Sequence, residues 1–295
     1  MKPAAGPKLS HSPADRRRSN MSREFNPAAL QETARRLRVN IIRMTAIAGS
    51  GHPSTALSSV ELITYLYFCR MRIDPGNPKW EDRDRFVLSK GHGAPAIYAA
   101  LAERGFFPEE VLWTLRDVGS LLQGHPDMRK TPGVDMTSGS LGQGFSCAVG
   151  IALGGRVNQK GFRVYAMLGD GELQAGQVWE AAMFAGHYKL DNLTAVVDDN
   201  KQQTDGLTKE IMNVHPIADK FRAFGWDAVD IDGHDFSQIH EAFQKSARSA
   251  GKPYAIVAAT VKGKGVKAME TSTKWHGLPP GPEEAEAFVR EIEAG

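Results

Sequence analysis

Two apolar runs in this chain break into turns that carry hard oxygen donors. Val164 to Leu168 runs into Gly169-Asp170-Gly171, and Leu193 to Val197 runs into Asp198-Asp199-Asn200-Lys201. A carboxylate at Asp170 and a carboxamide at Asn200 are the donor types that hold Mg²⁺ or Ca²⁺, and Mg²⁺ usually shares its shell with phosphate oxygens. Glycine on both sides of Asp170 allows a sharp turn and lets a diphosphate come close to a helix start. The chemistry open to these two turns is a metal–diphosphate site.

Four histidines sit in small-residue turns rather than on periodic faces: Gly51-His52-Pro53, Gly91-His92-Gly93, Gly124-His125-Pro126 and Trp275-His276-Gly277. One such histidine alone reads as a surface or capping residue, but four in the same setting suggest a site. Imidazole has useful proton capacity near neutral pH, so these rings are candidates for proton transfer. Lys262-Gly-Lys-Gly lacks P-loop spacing; it either closes over the diphosphate end or is a solvated turn. Asp235 is well placed to cap the helix that follows it. Trp179 and Phe184, on the helix after Asp170, read as buried packing residues.

Elements of alternating type must position these groups. Leu30, Ala34, Leu37, Ile41, Met44 and Ile47 recur at helical spacing over Pro27 to Ala48. Ser54 or Thr55 can cap a second helix running to about Arg70, and a third begins near Ala94. Strands are expected at 85–88 and near 163–168, 193–198, 226–231 and 254–259. Helices near 174–187, 215–224 and 235–249 lie between them, and a final amphipathic helix closes the chain. Phe145 to Leu153 reads as a helix buried all round. Strands alternating with helices argue for an α/β fold, a parallel sheet flanked by helices on both faces. Residues 1–25 are polar and read as a disordered tail; residues 26–295 read as one domain.

Composition narrows the function. The 295 residues are 41% hydrophobic and 24% charged, with a formal net charge of +2, too small to suggest nucleic acid. Arg16-Arg17-Arg18 reads as a solvated run. Cys69 and Cys147 lack metal-ligand spacing and read as buried thiols of a reducing compartment. With no long apolar span and no secretory h-region, no membrane is expected and the cytoplasm is the default location.

The words GDGELQAGQVWEAA and DDNKQQTDG resemble those of the transketolases, as do AGSGHPS, LSKGHGAP, LLQGHPD and TKWHG. The resemblance covers nearly all of residues 27–295 and implies a thiamine-diphosphate-binding (PP-type) domain with Mg²⁺, or Ca²⁺ or Mn²⁺ in its place. Asp170, Asn200 and the backbone carbonyl of Gln202 would be the metal ligands. The turn from Gly169 to Gly171 would meet the diphosphate, with the Gly171 N–H donating to it. His92 and His276 would lie near the diphosphate. His276, His52 and His125 would border the reacting centre and the substrate hydroxyls, and His52 would also touch the cofactor. Gly139 and Leu141 would accept the aminopyrimidine through backbone groups.

What that implies is transfer of a two-carbon ketol unit from a ketose phosphate to an aldose phosphate, each half needing proton transfer. The resemblance is to the first portion of a full-length transketolase. The glutamate that protonates the aminopyrimidine, and most of the residues that hold a sugar phosphate, belong to a second, pyrimidine-binding domain. The implied partner is therefore a separate C-terminal-section subunit carrying that domain, in a heterotetramer. Three positions depart from the family: Ala175 stands for a glutamate, Thr204 for an isoleucine and Ser140 for a proline. Alternatives are the same chemistry on a sulfonated or branched-chain ketose, a 2-oxoacid dehydrogenase α subunit, or a non-catalytic cofactor-binding partner.

Overall fold

Five short runs pair into a single sheet: β1 (Arg85–Leu88), β2 (Val164–Gly169), β3 (Leu193–Asp199), β4 (Asp227–Asp232) and β5 (Tyr254–Ala259). In the computed structural model, which describes residues 24–295, every pairing is parallel and the order is β1-β2-β3-β5-β4. The helices are α1 (Pro27–Ala48), α2 (Pro53–Ser58), α3 (Val60–Tyr65), α4 (Ala94–Glu103), α5 (Gln143–Val157), α6 (Gly176–His187), α7 (Thr208–Ile211), α8 (Ile217–Ala223), α9 (Phe236–Arg248), α10 (Lys267–Glu270) and α11 (Pro282–Ala294).

Strand periodicity divides the core in two. In β2, Val164, Ala166 and Leu168 face a layer built from α5, α6 and α8, while Tyr165 and Met167 face α1 to α4, α9 and α11. Successive strand residues point to opposite faces, so a sheet covered on both sides reads as an unbroken apolar run. Each fully buried Leu or Ile, such as Leu37 and Ile41, contributes roughly 1.5–3 kcal/mol. The expected α/β fold with helices on both faces is the one observed.

The α1 helix begins with the Asn26 side chain accepting the Ala29 N–H at 3.1 Å and ends at left-handed Gly49. The second expected helix differs in two ways. Neither Ser54 nor Thr55 caps it: Pro53 occupies its first position, and the Ser54 hydroxyl donates to the Trp275 carbonyl at 2.8 Å. Nor does it run unbroken to Arg70. Ser58 and Ser59 bond back to the Thr55 and Ala56 carbonyls at 3.0 and 3.2 Å, competing with the helix ladder, and the segment divides into α2, α3 and a π-turn over Leu66–Arg70.

Other expectations are also corrected. The face of α5 away from the sheet is open, with Gly150 exposed and Val157 72% exposed. Apolar content all round the helix hid which face the sheet would cover. Phe184 is exposed and tilts against Tyr188, whereas half-buried Trp179 packs near Phe221 and donates to the Leu173 carbonyl. Both cysteines are half-buried rather than buried. Asp235 does cap α9, accepting from the Ser237 and Gln238 backbones. Residues 1–23 of the expected tail lie outside the described residues; Phe25 stacks on His240 with ring centroids 4.1 Å apart. Among the described residues no helix is long and apolar enough to cross a membrane.

Candidate active site

The carboxyl ends of the strands share one edge of the sheet, where open parallel sheets bind ligands. The ends of β2 and β3 are stitched together, the Asp170 N–H donating to the Asp198 carbonyl at 3.2 Å. Asp170 is 1% exposed; its carboxylate accepts the Gly171 N–H at 2.9 Å and the Thr208 hydroxyl at 2.7 Å. It forms no ion pair among the described residues. Burial first, then the charges of Asp198 and Asp199, push its pKa up to about 6. Asn200 is buried beside it, and its side-chain oxygen accepts the Gln202 N–H at 3.1 Å.

Beneath these turns lies a buried ion pair that the sequence did not disclose. Lys90, from the turn after β1, meets Asp198 at the end of β3, and both are out of water. Asp198 also accepts the Ser58 hydroxyl at 2.5 Å, the Thr260 hydroxyl, and the Asn200 side-chain N–H at 3.3 Å. Burial alone would raise Asp198, but Lys90 and these hydrogen bonds hold it below the usual carboxylate range. Because the Asn200 amide nitrogen turns to a carboxylate that can only accept, its oxygen is the atom left to face a cation. Glu172 is a second hidden anchor. It accepts the Ser89 hydroxyl, the Gly142 N–H at 2.7 Å and the Gly169 N–H at 3.1 Å, tying three loops together. Burial pushes its carboxyl up.

Three of the four histidines converge. Ring centroids lie 5.3 Å apart for His52 and His92, 5.4 Å for His52 and His276, and 5.5 Å for His92 and His276. Burial is the largest cause of their lowered pKa values, about 4 for His52, about 2 for His92 and about 4 for His276, with neighbouring cations adding to it. All three are neutral at pH 7. His52 Nδ1 is buried without a hydrogen-bond partner. Exposed His125 lies across Gly139, where an added Cβ would come within 3.4 Å of its ring. Gly91 needs its missing side chain: a Cβ there would meet the Gly139 nitrogen at 2.9 Å and the Ser138 hydroxyl at 2.8 Å. The Gly139–Leu141 loop thus lies between the His92 turn and His125, with Leu141 exposed.

Lys262 is 2% exposed, which excludes the solvated-turn reading. Its Nζ lies 2.7 Å from His276 Nδ1, and burial lowers it to about 8. A buried network holds the loop that carries it. Arg38 Nη2 donates to Glu61 at 2.5 Å and Arg38 Nε to the Lys264 carbonyl at 3.0 Å. His234 joins Glu61 through Nδ1 at 3.1 Å and accepts the Val261 N–H at Nε2. With Nε2 accepting, Nδ1 must carry the proton. Arg38, Glu61 and His234 come from three distant segments, and no sequence period marks them.

Comparison with known proteins decides among the chemistries such an edge could support. A family profile described as the thiamine diphosphate binding domain of transketolase matches residues 29–292. The chain belongs to that family. The 6-deoxy-6-sulfo-D-fructose transketolase subunit SqwG of Clostridium sp. (strain MSTE9) is 48% identical over 264 residues, covering 90% of this chain and 96% of that protein. An apulose-4-phosphate transketolase subunit of Phocaeicola vulgatus is 40% identical over 255 residues, covering 86% of this chain and 90% of that protein. Transketolase of Homo sapiens is 43% identical over 267 residues, covering 90% of this chain but 42% of that one. The crystal structure of transketolase from Campylobacter jejuni superposes with a TM-score of 0.86 at 34% identity, over 92% of this chain and 43% of that chain. The chain therefore spans less than half the length of the longer transketolases it matches.

The residues of this transketolase domain fit the group that the family binds. Asp170 is a buried carboxylate that makes no salt bridge among the described residues, although the charge of Lys262 is felt there, and Asn200 is held with its oxygen turned away from Asp198. Two hard oxygens on adjacent strand ends suit a divalent cation. Side-chain atoms of Gln202 and Gln203 in the same turn are buried and unpartnered, as is His52 Nδ1. The Gly171 N–H is taken by the carboxylate of Asp170, so it becomes a diphosphate donor only if that bond is given up.

Proposed function

We propose that this chain is the diphosphate-binding subunit of a two-chain transketolase, moving a two-carbon ketol unit from an anionic ketose to an aldose. The observation that carries the reading is coverage: the chain matches 96% of a relative that is itself named a transketolase subunit, and shares with it almost the whole domain. The convergence of His52, His92 and His276, with His276 against the Lys262 whose charge also reaches Asp170, supports a reacting centre at the same edge.

Asp170, Asn200 and the Gln202 carbonyl would hold Mg²⁺. Gly169 and Gly171 would lie along the diphosphate, and Gly139 and Leu141 along the aminopyrimidine. Thiamine diphosphate, when bound, supplies the electron sink for breaking and making the carbon–carbon bond. The protein's own contribution is orientation and proton handling. His52, His125 and His276 face the substrate side as neutral imidazoles, able to accept a proton from a sugar hydroxyl and to return it. An arriving anion would raise their proton affinity, because cations and burial now depress it.

A pyrimidine-domain subunit would complete the site, with two copies of each chain closing a heterotetramer. A sulfonated or branched-chain ketose is the second reading, and the names of the two subunit relatives favour it. Reconstitution tests the proposal. The complex purified with its natural partner should transfer the ketol unit, the isolated chain should show little or no transfer, and Asp170→Ala should abolish it in the complex. Full turnover by the chain alone would sink the two-chain reading, and no turnover of any sugar by the complex would favour a non-catalytic partner.

A further inference from the structure

Arg116 carries a charge that is felt at His52 and His125 and makes no salt bridge among the described residues. Its backbone holds φ at 68°, a left-handed conformation that costs a non-glycine residue roughly 1 kcal/mol or more and persists where surroundings fix it. The Arg116 N–H donates to the Leu122 carbonyl at 2.8 Å. At the other end of the residue, Nη1 donates to the Ser50 hydroxyl at 2.7 Å. The guanidinium lies against Gly124, where an added Cβ would come within 3.0 Å of its carbon and Nε. Ser50 is two residues ahead of His52, and Gly124 immediately precedes His125. The guanidinium is thus seated between the two loops that carry the substrate-side histidines. Arg116 itself is exposed, as is His125, whereas His52 is half-buried. Its charge reaches both rings, being a cause, after burial, of the lowered pKa of His52 and of His125.

Resting on the ketol-transfer reading above, we propose that Arg116 is a docking point, contributed by this chain, for the terminal oxyanion of the sugar substrate. A guanidinium presents parallel N–H donors that match a phosphate or sulfonate, and it keeps its charge at any working pH. A free arginine would lose much side-chain entropy on binding; this one is already held by Ser50 and by the flat surface of Gly124. Arg116 is exposed and touches the loops that carry His52 and His125, so a sugar with its reacting end at His52 and His276 would have its far end within reach of this guanidinium. Binding at that remote end helps hold the reacting end in place. Phosphate esters and sulfonates share this recognition chemistry.

The experiment compares three sugars in the complex with its natural partner: a ketose phosphate, the corresponding sulfonate and the neutral ketose. Arg116→Gln should lower kcat/KM for the accepted anionic sugar by about tenfold or more, mostly through KM, and change the neutral sugar less than about twofold. Arg116→Lys should recover part of the loss. Gly124→Ala, which displaces the guanidinium without changing charge, should give the same selective loss. The ratio of phosphate to sulfonate turnover in the unaltered complex identifies which anion is used. Equal loss on anionic and neutral sugars, or no loss, would overturn the proposal. If the unaltered complex turns over no sugar, the ketol-transfer reading falls and the anion site is judged on the chain itself. Inorganic phosphate or sulfate should then shift the His125 ring resonances in the unaltered chain but not in Arg116→Gln, and an unchanged spectrum overturns it.

Discussion

Lys262 Nζ and His276 Nδ1 are 2.7 Å apart, and Thr204 Oγ1 lies 3.2 Å from the other ring nitrogen. An ammonium can only donate, so Nδ1 of His276 is the acceptor and its proton sits on Nε2, facing Thr204. Lys262 therefore selects the tautomer of the His276 ring. Lys262→Met should raise the pKa of His276, since the charge that follows burial among the causes of its depression is removed. Ring titration by NMR checks this. Burial would persist, so the value should stay below that of a free imidazole. An unmoved titration would mean that the pair is not in contact in solution.

Asn200 is oriented by Asp198, which is itself locked by Lys90, Ser58 and Thr260. If its oxygen faces Mg²⁺, Asn200→Ala should weaken thiamine diphosphate binding by about tenfold or more at low Mg²⁺ and much less in excess. Calorimetric titration at two metal concentrations checks it. Equal affinity at both would remove Asn200 from the metal shell.

How much of this was legible beforehand depends on chain separation. Strands β2 and β3 could be read within a residue because burial on both faces forces a continuous apolar run, and the polar residues ending them mark the ligand edge. The glycine-flanked histidines could be read because their turns are local. Lys90 and Asp198 could not: they lie 108 residues apart, and in sequence each passes for a solvated turn residue. Glu172 carries no motif of its own in sequence, yet it is 2% exposed and serves three loops. Asp198 and Asp199 are adjacent and indistinguishable in sequence, but strand alternation sends one to Lys90 and the other to Lys201. Arg116 carries no motif at all; only the fold brings it between Ser50 and Gly124.

Glu172→Gln offers a nearly isosteric test of the three-loop anchor. Glu172 accepts at both oxygens, so whichever way a glutamine turns, its amide NH₂ faces a donor. A buried donor left unmatched costs about 1–3 kcal/mol. The midpoint of denaturant unfolding should fall accordingly with little change in slope. Cofactor binding should weaken as well, because Gly169 and Gly142 lose their common acceptor. A midpoint within error of the unaltered chain would remove Glu172 as an anchor.

Acid should unfold this domain through its histidines. His52 and His276 titrate at about 4 and His92 at about 2 in the folded chain, against an ordinary 6.5. Between those values the unfolded chain binds protons that the fold refuses, so stability is full above about 6.5 and falls as pH drops toward 4. Asp170 works the other way, since its pKa is raised from 3.8 to about 6 and the folded chain takes up its proton first. Burial raises Glu172 and Asp135 as well, while His125 and His240 join the three depressed rings, so five depressed histidines outweigh three raised carboxyls and the net slope over the window is loss of stability with acid. Unfolding midpoints measured from pH 7 to pH 4 should decline, and His92→Asn should flatten the decline because it removes the most depressed ring. A profile that stays level, or one that His92→Asn leaves unchanged, would show that these rings are protonated in the folded chain and that burial does not keep them neutral.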